Sequence, residues 1–513
     1  MRRFSQLQRD LAANLGARFW SMVLNLAAVP VYLKHLGAEA YGLIGLMVLL
    51  ENISALMDSG LGMTLNRELA RRTAGPASED PNWVDNRRDF LATLQVVHIS
   101  LALICGVVVF FAAPAIAEHW VQAKNLTPAM ITLCLRWMSL SIAAAVLFSF
   151  YQGGLFGVRK QVGVNVLVIV FAALRVGGCM VLLTFFTSSP DAFFATQGIT
   201  LLLQVIASAI LLWASLPKTG RRTRIEFRYI HDVWKFAAIV SANAFLTAAV
   251  SQIDKIIFSR ALPLEEFGYY TLAGTAVGTL WAVVLPLTAP FFPRFAELWE
   301  IQAIDKLSEM YHRASQLVTL AVAPLAAILA AFAYHLLMVW TGNDTAAMHA
   351  APLVIALCVG TAANTLAAVP ANIQNAVGWP GLITTYNMVY AVTLLPLVAW
   401  VAFRFGAVPA VSLWAIPNIG YLFITTPIMH RRVMRGQLGT WYRADVLGPA
   451  AVALVVALIC RLAMPPLTGR IPLLAYIAAS GALTLLATFI ATKNLRVVIL
   501  QRIGEQLRLR ASS

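Results

Sequence analysis

Two arginines lie inside long apolar stretches of the sequence, where a charge is costly. Arg18 follows Asn14 by four residues and precedes Asn25 by seven, so a helix would place these side chains on one face. Arg175 lies in the middle of another apolar stretch. A guanidinium stays charged in a poor dielectric and binds phosphate through paired hydrogen bonds. The pattern therefore predicts a site for an anionic group; the alternative is an arginine that reaches the lipid headgroups or pairs with an acid.

Acidic residues occur in the same apolar surroundings. Glu51 and Asp58 are seven residues apart and share one face of a predicted helix, and Asp254 lies near the end of another. A charge at mid-membrane costs about 2.5 kcal/mol or more, so each acid is a candidate to neutralise Arg18 or Arg175, or to take up a coupling H⁺ or Na⁺. For Asp58, which begins the sequence DSGL, helix capping is the simpler interpretation.

Membrane-spanning helices must position these charges. The chain has 513 residues, 60% of them hydrophobic and 12% charged, and a mean hydropathy of +0.75, unlike a soluble globular domain. Apolar runs of roughly 20 residues, enough to cross about 30 Å of hydrocarbon as helix, recur throughout. The fourteen runs cover residues 12–33, 41–64, 91–113, 130–150, 162–186, 193–214, 233–258, 267–292, 314–339, 350–372, 382–402, 408–428, 446–463 and 472–491. We expect an all-α integral membrane protein with about 14 transmembrane helices.

The cations indicate the orientation of these helices. With a cytoplasmic N-terminus, 28 of the 38 Lys and Arg residues fall in cytoplasmic segments, which predicts that both termini are inside. This distribution explains the net charge of +15 without nucleic acid as a partner. The basic, amphipathic tail 493–513 is expected to lie along the inner membrane surface. The five cysteines have irregular spacings, which favours packing over disulfides or a metal site.

One motif occurs twice. YLKHLGAEAYG at residues 32–42 and FSRALPLEEFG at residues 258–268 share aromatic, basic, acidic and glycine positions 226 residues apart. Six predicted spans separate the copies, so both have the same membrane orientation, which indicates a parallel internal repeat. We predict a six-helix lobe, a cytoplasmic linker, a second six-helix lobe, helices 13 and 14, and the tail. Their residues are 1–215, 216–230, 231–430, 431–492 and 493–513.

Charged residues at matching ends of the repeated helices are candidates for gates. Two cation and acid pairs lie at the predicted outer mouths, where exchange of ion pairs would open and close one side, and two arginines hold matching cytoplasmic positions. Anchoring in the lipid headgroups is the alternative for each cation. The candidates are Lys34, Glu39, Arg67, Arg260, Glu265 and Arg294.

Three segments resemble a known family. VYLKHLGAEAYGLIGL at residues 31–46, DSGLGMTLNRELA at 58–70 and DKIIFSRALPLEEFGYYTLA at 254–273 are similar to the signatures of Wzx-type polysaccharide flippases. That family belongs to the multidrug/oligosaccharidyl-lipid/polysaccharide flippase superfamily, which also holds lipid II flippases and multidrug and toxin extrusion transporters. The resemblance covers roughly residues 10–440.

The resemblance implies a fold and a function. Two six-helix bundles, related by a pseudo-twofold axis, would surround a central cavity. Alternating access would carry an undecaprenyl-pyrophosphate-linked oligosaccharide from the cytoplasmic to the periplasmic leaflet of the bacterial inner membrane. Expected partners are this substrate, membrane lipids and the polysaccharide polymerase machinery, and we expect a monomer with no cofactor beyond a coupling H⁺ or Na⁺. Arg18, Asn14, Asn25 and Arg175 are the predicted headgroup site.

Three alternatives remain at this point. A cation-coupled multidrug extruder or a lipid II flippase of the same superfamily would share the fold, although organic cations favour a cavity of acids and aromatics over one with arginines. An enzyme is the third alternative. The longest predicted outside loop, about 114–129, holds one acid, Glu118, and the sequence has no phosphate-binding glycine loop, zinc helix motif or nucleophile elbow. We therefore predict a transporter and not an enzyme.

Overall fold

Helices make up nearly all of the chain. The structure is a computed structural model that describes residues 6–74, 83–492 and 496. Three short π-helical segments, Ile116–Trp120, Tyr421–Thr425 and Trp441–Val446, interrupt or join α-helices. The α-helices are α1 Gln6–Ala74, α2 Trp83–Ala115, α3 Pro128–Gly157, α4 Gln161–Phe185, α5 Pro190–Ser215, α6 Arg228–Ala261, α7 Leu264–Thr288, α8 Phe291–Glu300, α9 Ile304–Ala331, α10 Ala333–Thr341, α11 Asp344–Leu366, α12 Ala368–Ala376, α13 Gly381–Phe405, α14 Ala407–Ser412, α15 Ala415–Gly420, α16 Thr426–Arg432, α17 Leu438–Thr440, α18 Leu447–Leu462 and α19 Arg470–Ala491.

Each predicted membrane span corresponds to helix. Within the described residues, 12 helical segments are long and apolar enough to cross a membrane. The first of them, Gly16–Ser54, contains a break and extends from the first predicted span into the second. The predicted span at 233–258 lies in α6, many of whose side chains are outside the described part. The predicted all-α membrane fold is confirmed. The tail 493–513 lies, apart from Arg496, outside the described residues.

The two copies of the repeated motif break their helices at equivalent positions. Gly37 has φ 81° and ψ 175°, a backbone conformation open to glycine, and it divides α1 into two spans. Pro263, which is 226 residues further along, lies between α6 and α7. Proline cannot donate a hydrogen bond to the preceding turn, so it separates helices by a different mechanism. The repeat thus preserves the position of the break but not the residue that causes it.

The chain divides into two compact units, Met1–Gly268 and Tyr269–Ser513. Phe90, Phe150 and Leu212 are fully buried in the core of the first unit, which α2, α3 and α5 build. Phe332 and Ala453 belong to the core of the second unit, where α9, α18 and α19 pack together. The first unit includes α6, which the predicted boundaries assign to the second lobe. Those boundaries describe an internal repeat, not compactness, and they stay a prediction.

Small residues set the close approach of α1 and α3. A Cβ atom on Gly153 would lie 2.5 Å from the carbonyl oxygen of Gly62, and one on Gly157 would lie 2.7 Å from that of Asn66. Side-chain contacts of this kind would push the helices apart, so glycine allows the backbones to meet. The two halves of the contact come from the stretches DSGLGMTLNREL and QGGLFGVRK.

The segment between α5 and α6 is bound to the start of α2. Arg221 Nε donates to Asp85 Oδ2 at 2.7 Å, and Arg221 Nη2 donates to Asp89 Oδ2 at 2.5 Å. The backbone N–H of Arg224 donates to Asp89 Oδ1 at 2.7 Å. Hydrogen bonds to the two carboxylates raise the pKa of Arg221 above its already high ordinary value. The predicted linker is therefore an ordered strap over the end of α2.

Candidate functional site

Asn14 links the first helix to the fourth. Asn165 Nδ2 on α4 donates to Asn14 Oδ1 at 2.6 Å. Arg18 lies one turn further along α1 and is exposed, although the stretch around it is apolar. Asn25, two turns beyond Arg18, is also exposed and donates from Nδ2 to the backbone carbonyl of Ser21 at 2.7 Å. The predicted polar face of α1 therefore includes one amide that is hydrogen-bonded to α4 and one exposed cation.

Arg175 lies near an acidic side chain of a different helix. Its guanidinium interacts electrostatically with Glu51 of α1 and with Tyr32 and Cys179. Arg175 and Glu51 are both partly buried. The structure thus brings together one predicted cation and one predicted acid. A carboxylate near a guanidinium offsets part of its charge, and an incoming anion can take over that role.

Glu39 has backbone partners in place of the predicted cation. Its Oε1 accepts hydrogen bonds from the backbone N–H groups of Lys124 at 2.7 Å and Asn125 at 3.1 Å, and Oε2 accepts from Leu126 at 2.9 Å. Glu39 as a whole is 6% exposed. Lys34, its proposed gate companion, is exposed. In this structure Glu39 holds the loop that leads into α3.

Arg260 also binds the loop between α2 and α3. Its Nη1 donates to the backbone carbonyl of His119, and its guanidinium carbon lies 5.8 Å from the centroid of the Trp120 ring. Trp120 Nε1 donates to Ser259 Oγ at 3.1 Å. These contacts join residues 119–122 to residues 259–264, two segments that we call the clasp.

Backbone pairing completes the clasp. Leu264 N–H donates to the carbonyl oxygen of Gln122 at 2.7 Å, and Gln122 Nε2 donates to the carbonyl of Arg260 at 3.1 Å. Gln122 and Pro263 form an isolated β-bridge. The hydrogen-bond partners of Glu39 and Arg260 are thus backbone groups of a loop. The predicted gate, in which Lys34, Glu39, Arg260 and Glu265 exchange ion pairs, stays a prediction.

The remaining candidates differ in exposure. Asp254 and Glu265 are partly buried, and Arg67 and Arg294 are exposed. Arg294 Nη1 donates to Glu297 Oε2 at 3.0 Å on the surface of α8. The side chain of Asp58 lies outside the described residues, although its backbone belongs to α1. The roles predicted for these residues stay predictions.

An apolar pocket lies within the second unit. Its volume is about 190 Å³, and α9, α11 and α18 line it with small apolar side chains, among them Ala323, Ala327, Cys358 and Ala450. A pocket without polar partners suits hydrocarbon better than sugar or phosphate.

Sequence reasoning missed a polar cluster in this unit. His312 and Gln316, four residues apart on α9, meet Asp445 of the π-helical segment Trp441–Val446. The predicted spans begin at 314 and 446, which leaves His312 and Asp445 just outside them. The signal was a polar pair at helical spacing next to an apolar run.

Comparison with known proteins places the chain in a family. The sequence matches the family model described as polysaccharide biosynthesis protein over residues 7–299, more than half of the chain. The chain belongs to this family. Among curated proteins, no significant sequence match is found.

Solved structures show the fold of this family member. A structure titled lipid II flippase MurJ, inward closed conformation, matches with a TM-score of 0.72 and 13% identity over 94% of this chain and 98% of that one. An inward-facing multidrug resistance MATE family transporter of the MOP superfamily matches with a TM-score of 0.62 and 15% identity over 81% and 94%. A MOP superfamily transporter from Pyrococcus furiosus matches with 0.52 and 13% over 84% and 96%. The resemblance seen in the sequence is therefore confirmed at the level of the polysaccharide biosynthesis family and of the fold.

Proposed function

We propose that this family member is a flippase that moves an undecaprenyl-pyrophosphate-linked oligosaccharide from the cytoplasmic to the periplasmic leaflet by alternating access. The family and the fold support transport of a lipid-linked precursor for cell-surface polysaccharide. The observation that carries the proposal is the placement of Arg18 and Arg175, with amide side chains, on membrane-spanning helices of one unit.

The chemistry of the substrate explains the choice of side chains. A pyrophosphate loses its hydration when it leaves water, and guanidinium groups replace it with charge-assisted hydrogen bonds. Sugar hydroxyls need neutral donors and acceptors, which Asn14, Asn165 and Asn25 supply. The isoprenoid chain needs only hydrocarbon, which the lipid provides.

The Arg175 and Glu51 pair gives the site a resting state. Without substrate, an ionised Glu51 would offset part of the charge of Arg175, so that the membrane does not hold an isolated cation. The arriving pyrophosphate competes with Glu51 for Arg175. Departure of the substrate restores the pair, which favours release on the far side.

A multidrug extruder is the second candidate function, because MATE family structures share the fold with a TM-score of 0.62. An organic cation would require the acid of the site to outweigh its arginines. Arg18, exposed on α1, and Arg175 argue against such a substrate. Lipid II is also an undecaprenyl pyrophosphate, so a lipid II flippase would use the same headgroup chemistry and differ in the glycan.

Further features belong to the same proposal. We place the protein in the bacterial cytoplasmic membrane as a monomer with both termini in the cytoplasm, a transporter without catalytic activity that works beside polysaccharide polymerase machinery. Coupling to H⁺ or Na⁺ would drive the transport cycle. The sequence predicts Glu51, Asp58 and Asp254 as the acids that could bind the coupling ion.

The test is complementation. Cells that lack the chromosomal copy receive Arg18→Ala, Arg175→Ala or, as a matched control, Arg136→Ala. Arg136 is an exposed arginine on α3 that lies over the Phe110 ring, 5.0 Å from its centroid. Surface polysaccharide should fall strongly in the first two strains and persist in the third, at equal membrane protein levels. Normal polysaccharide in all strains would reject the proposed headgroup site.

A further inference from the structure

Four polar side chains of the second unit meet in a buried cluster. Asp445 is fully buried and His312 is 8% exposed. His312 Nδ1 is hydrogen-bonded to Asp445 Oδ2, and Gln316 Nε2 donates to Asp445 Oδ1 at 2.7 Å. His312 Nε2 is bonded to Gln437 Oε1 at 3.1 Å. We call these four residues the buried cluster.

The hydrogen-bond partners in the buried cluster indicate how many protons His312 and Asp445 carry together. Neutral imidazole has one N–H and one bare nitrogen. Here Nδ1 of His312 faces a carboxylate oxygen and Nε2 faces an amide oxygen, and both oxygens accept. With the Gln437 amide oxygen facing Nε2, both bonds form only if His312 carries two protons, or if Asp445 carries one and donates it to Nδ1. In either case the pair holds one proton more than a neutral imidazole with an ionised carboxylate.

Loss of that proton would be costly in this arrangement. The cluster would keep a buried net negative charge, and two acceptor atoms would face each other across one of its contacts. The cost falls if Asp445 separates from His312 and reaches water. Since His312 belongs to α9 and Asp445 leads into α18, the protonation state of the pair biases how these two helices are joined.

A neighbouring histidine shows the contrast. His430 Nδ1 lies 2.9 Å from the carbonyl oxygen of Thr426, and its Nε2 lies 3.3 Å from Tyr311 Oη. One acceptor and one hydroxyl satisfy a neutral imidazole, so His430 needs no extra proton. Its environment differs from that of His312 in this respect.

The other ionisable groups near the buried cluster do not offset the charge of Asp445, so its charge depends on the protonation of His312 and Asp445. Tyr311 of α9, His430 of α16 and Tyr442 of the π-helical segment are its titratable neighbours among the described residues. Tyr442 Oη donates to the carbonyl of Leu422 at 2.6 Å. Arg313 is bonded to Glu309 on the exposed side of α9. The tyrosines and a neutral His430 add no charge to offset that of Asp445.

We propose that His312 and Asp445 form a proton-binding site through which transport is coupled to the proton gradient. The coupling rests on the proposed function; the binding of a proton does not. The proton moves between water and the pair, with no other bond made or broken. The proton-bound pair joins α9 to the start of α18, and proton release frees that joint. This site is separate from Glu51, Asp58 and Asp254.

Proton binding is tested on the full chain in lipid nanodiscs. Histidine labelled with ¹⁵N gives a ring signal for His312, identified by its loss in His312→Gln, and infrared spectroscopy detects a protonated carboxyl by its loss in Asp445→Asn. At neutral pH we expect either two ring protons on His312 or a protonated Asp445. His430, identified by His430→Gln, should show one ring proton. A singly protonated His312 beside an ionised Asp445 would overturn the proposal, whatever the protein transports.

Coupling is tested by flipping in proteoliposomes with and without an imposed proton gradient. The double variant His312→Gln/Asp445→Asn keeps polar side chains that can hydrogen-bond but removes the titratable pair. The wild-type rate should change with the gradient and the rate of the double variant should not, at equal thermal stability. An equal response of both proteins would overturn coupling at this pair. Absence of wild-type flipping would instead reject the flippase and with it the coupling, while the spectroscopy still decides proton binding.

Discussion

Gly42 and Leu264 are packed so closely that a Cβ atom on Gly42 would overlap the carbonyl oxygen of Leu264. Gly268 stands in the same relation to the carbonyl of Ala38. Each glycine and each partner is 226 residues from its counterpart, so the contact is reciprocal, as in a self-complementary interface about a local twofold axis. The repeated motif thus packs one copy against the other, with its glycines at the crossing point.

Substitution at this crossing should weaken it. In Gly42→Ala or Gly268→Ala the new methyl group meets backbone, which cannot rotate away, so we expect a loss of about 1–3 kcal/mol in stability. Thermal unfolding in detergent measures the loss. Gly274→Ala is the control, since nothing lies within 4 Å of its added Cβ and alanine favours a helix. Equal melting temperatures for all three variants would show that the crossing tolerates a methyl group.

Substitution of Glu39 should lower the stability of the protein, whatever its effect on transport. In Glu39→Gln one acceptor oxygen becomes an amide that cannot accept from the backbone N–H groups of residues 124–126. Loss of a hydrogen bond to a charged group costs roughly 1.5–3 kcal/mol. The melting temperature should fall, whereas Lys34→Gln, at an exposed position, should leave it unchanged. A variant of Glu39 with normal stability and defective transport would support the gate that the sequence predicts.

Arg221 should determine the order of the strap between α5 and α6. Arg221→Ala removes the bonds to Asp85 and Asp89, so protease cleavage between residues 216 and 227 should become faster. Arg222→Ala provides the comparison, because Arg222 is exposed. Limited proteolysis in nanodiscs followed by mass spectrometry locates the cleavage. Equal cleavage rates in the two variants would mean that the strap is held by other contacts.

Glu51 should limit how tightly the site holds an anion. Glu51→Gln leaves Arg175 without its neighbouring carboxylate, so undecaprenyl pyrophosphate should bind more tightly, by roughly tenfold for each 1.4 kcal/mol of lost competition. Release should then slow, and transport should decrease although affinity rises. Glu118→Gln, at an exposed position outside the predicted spans, serves as the control. Weaker binding in Glu51→Gln would show that Glu51 assists the anion.

Hydrophobic run length predicted much of this fold. Each of the fourteen predicted spans lies on helix, because only helices satisfy the backbone of a chain that crosses hydrocarbon. The gap between the predicted spans 12–33 and 41–64 also contains the observed break at Gly37. Run length does not specify that a single glycine makes this break between two helices that otherwise continue.

Side-chain pairing was harder to predict. Composition places Glu39 among charges at a helix mouth, but its partners are backbone N–H groups of a loop about 85 residues later, which no local pattern specifies. His312 and Asp445 are 133 residues apart and lie beside the predicted spans, so their contact depends on tertiary packing. In contrast, the sequence alone predicts Arg18 and Arg175 as candidate site residues, because a charge in an apolar run is costly.

Flipping of a fluorescent undecaprenyl-pyrophosphate-linked oligosaccharide in proteoliposomes tests transport through Arg18 and Arg175 most directly. It is measured as the fraction of this lipid that an impermeant quencher reaches with time. The wild type and Arg136→Gln should flip at similar rates, whereas Arg18→Gln/Arg175→Gln should fall to the rate of protein-free liposomes. A double variant that flips at the wild-type rate, in the same amount and orientation, would contradict transport through these two arginines.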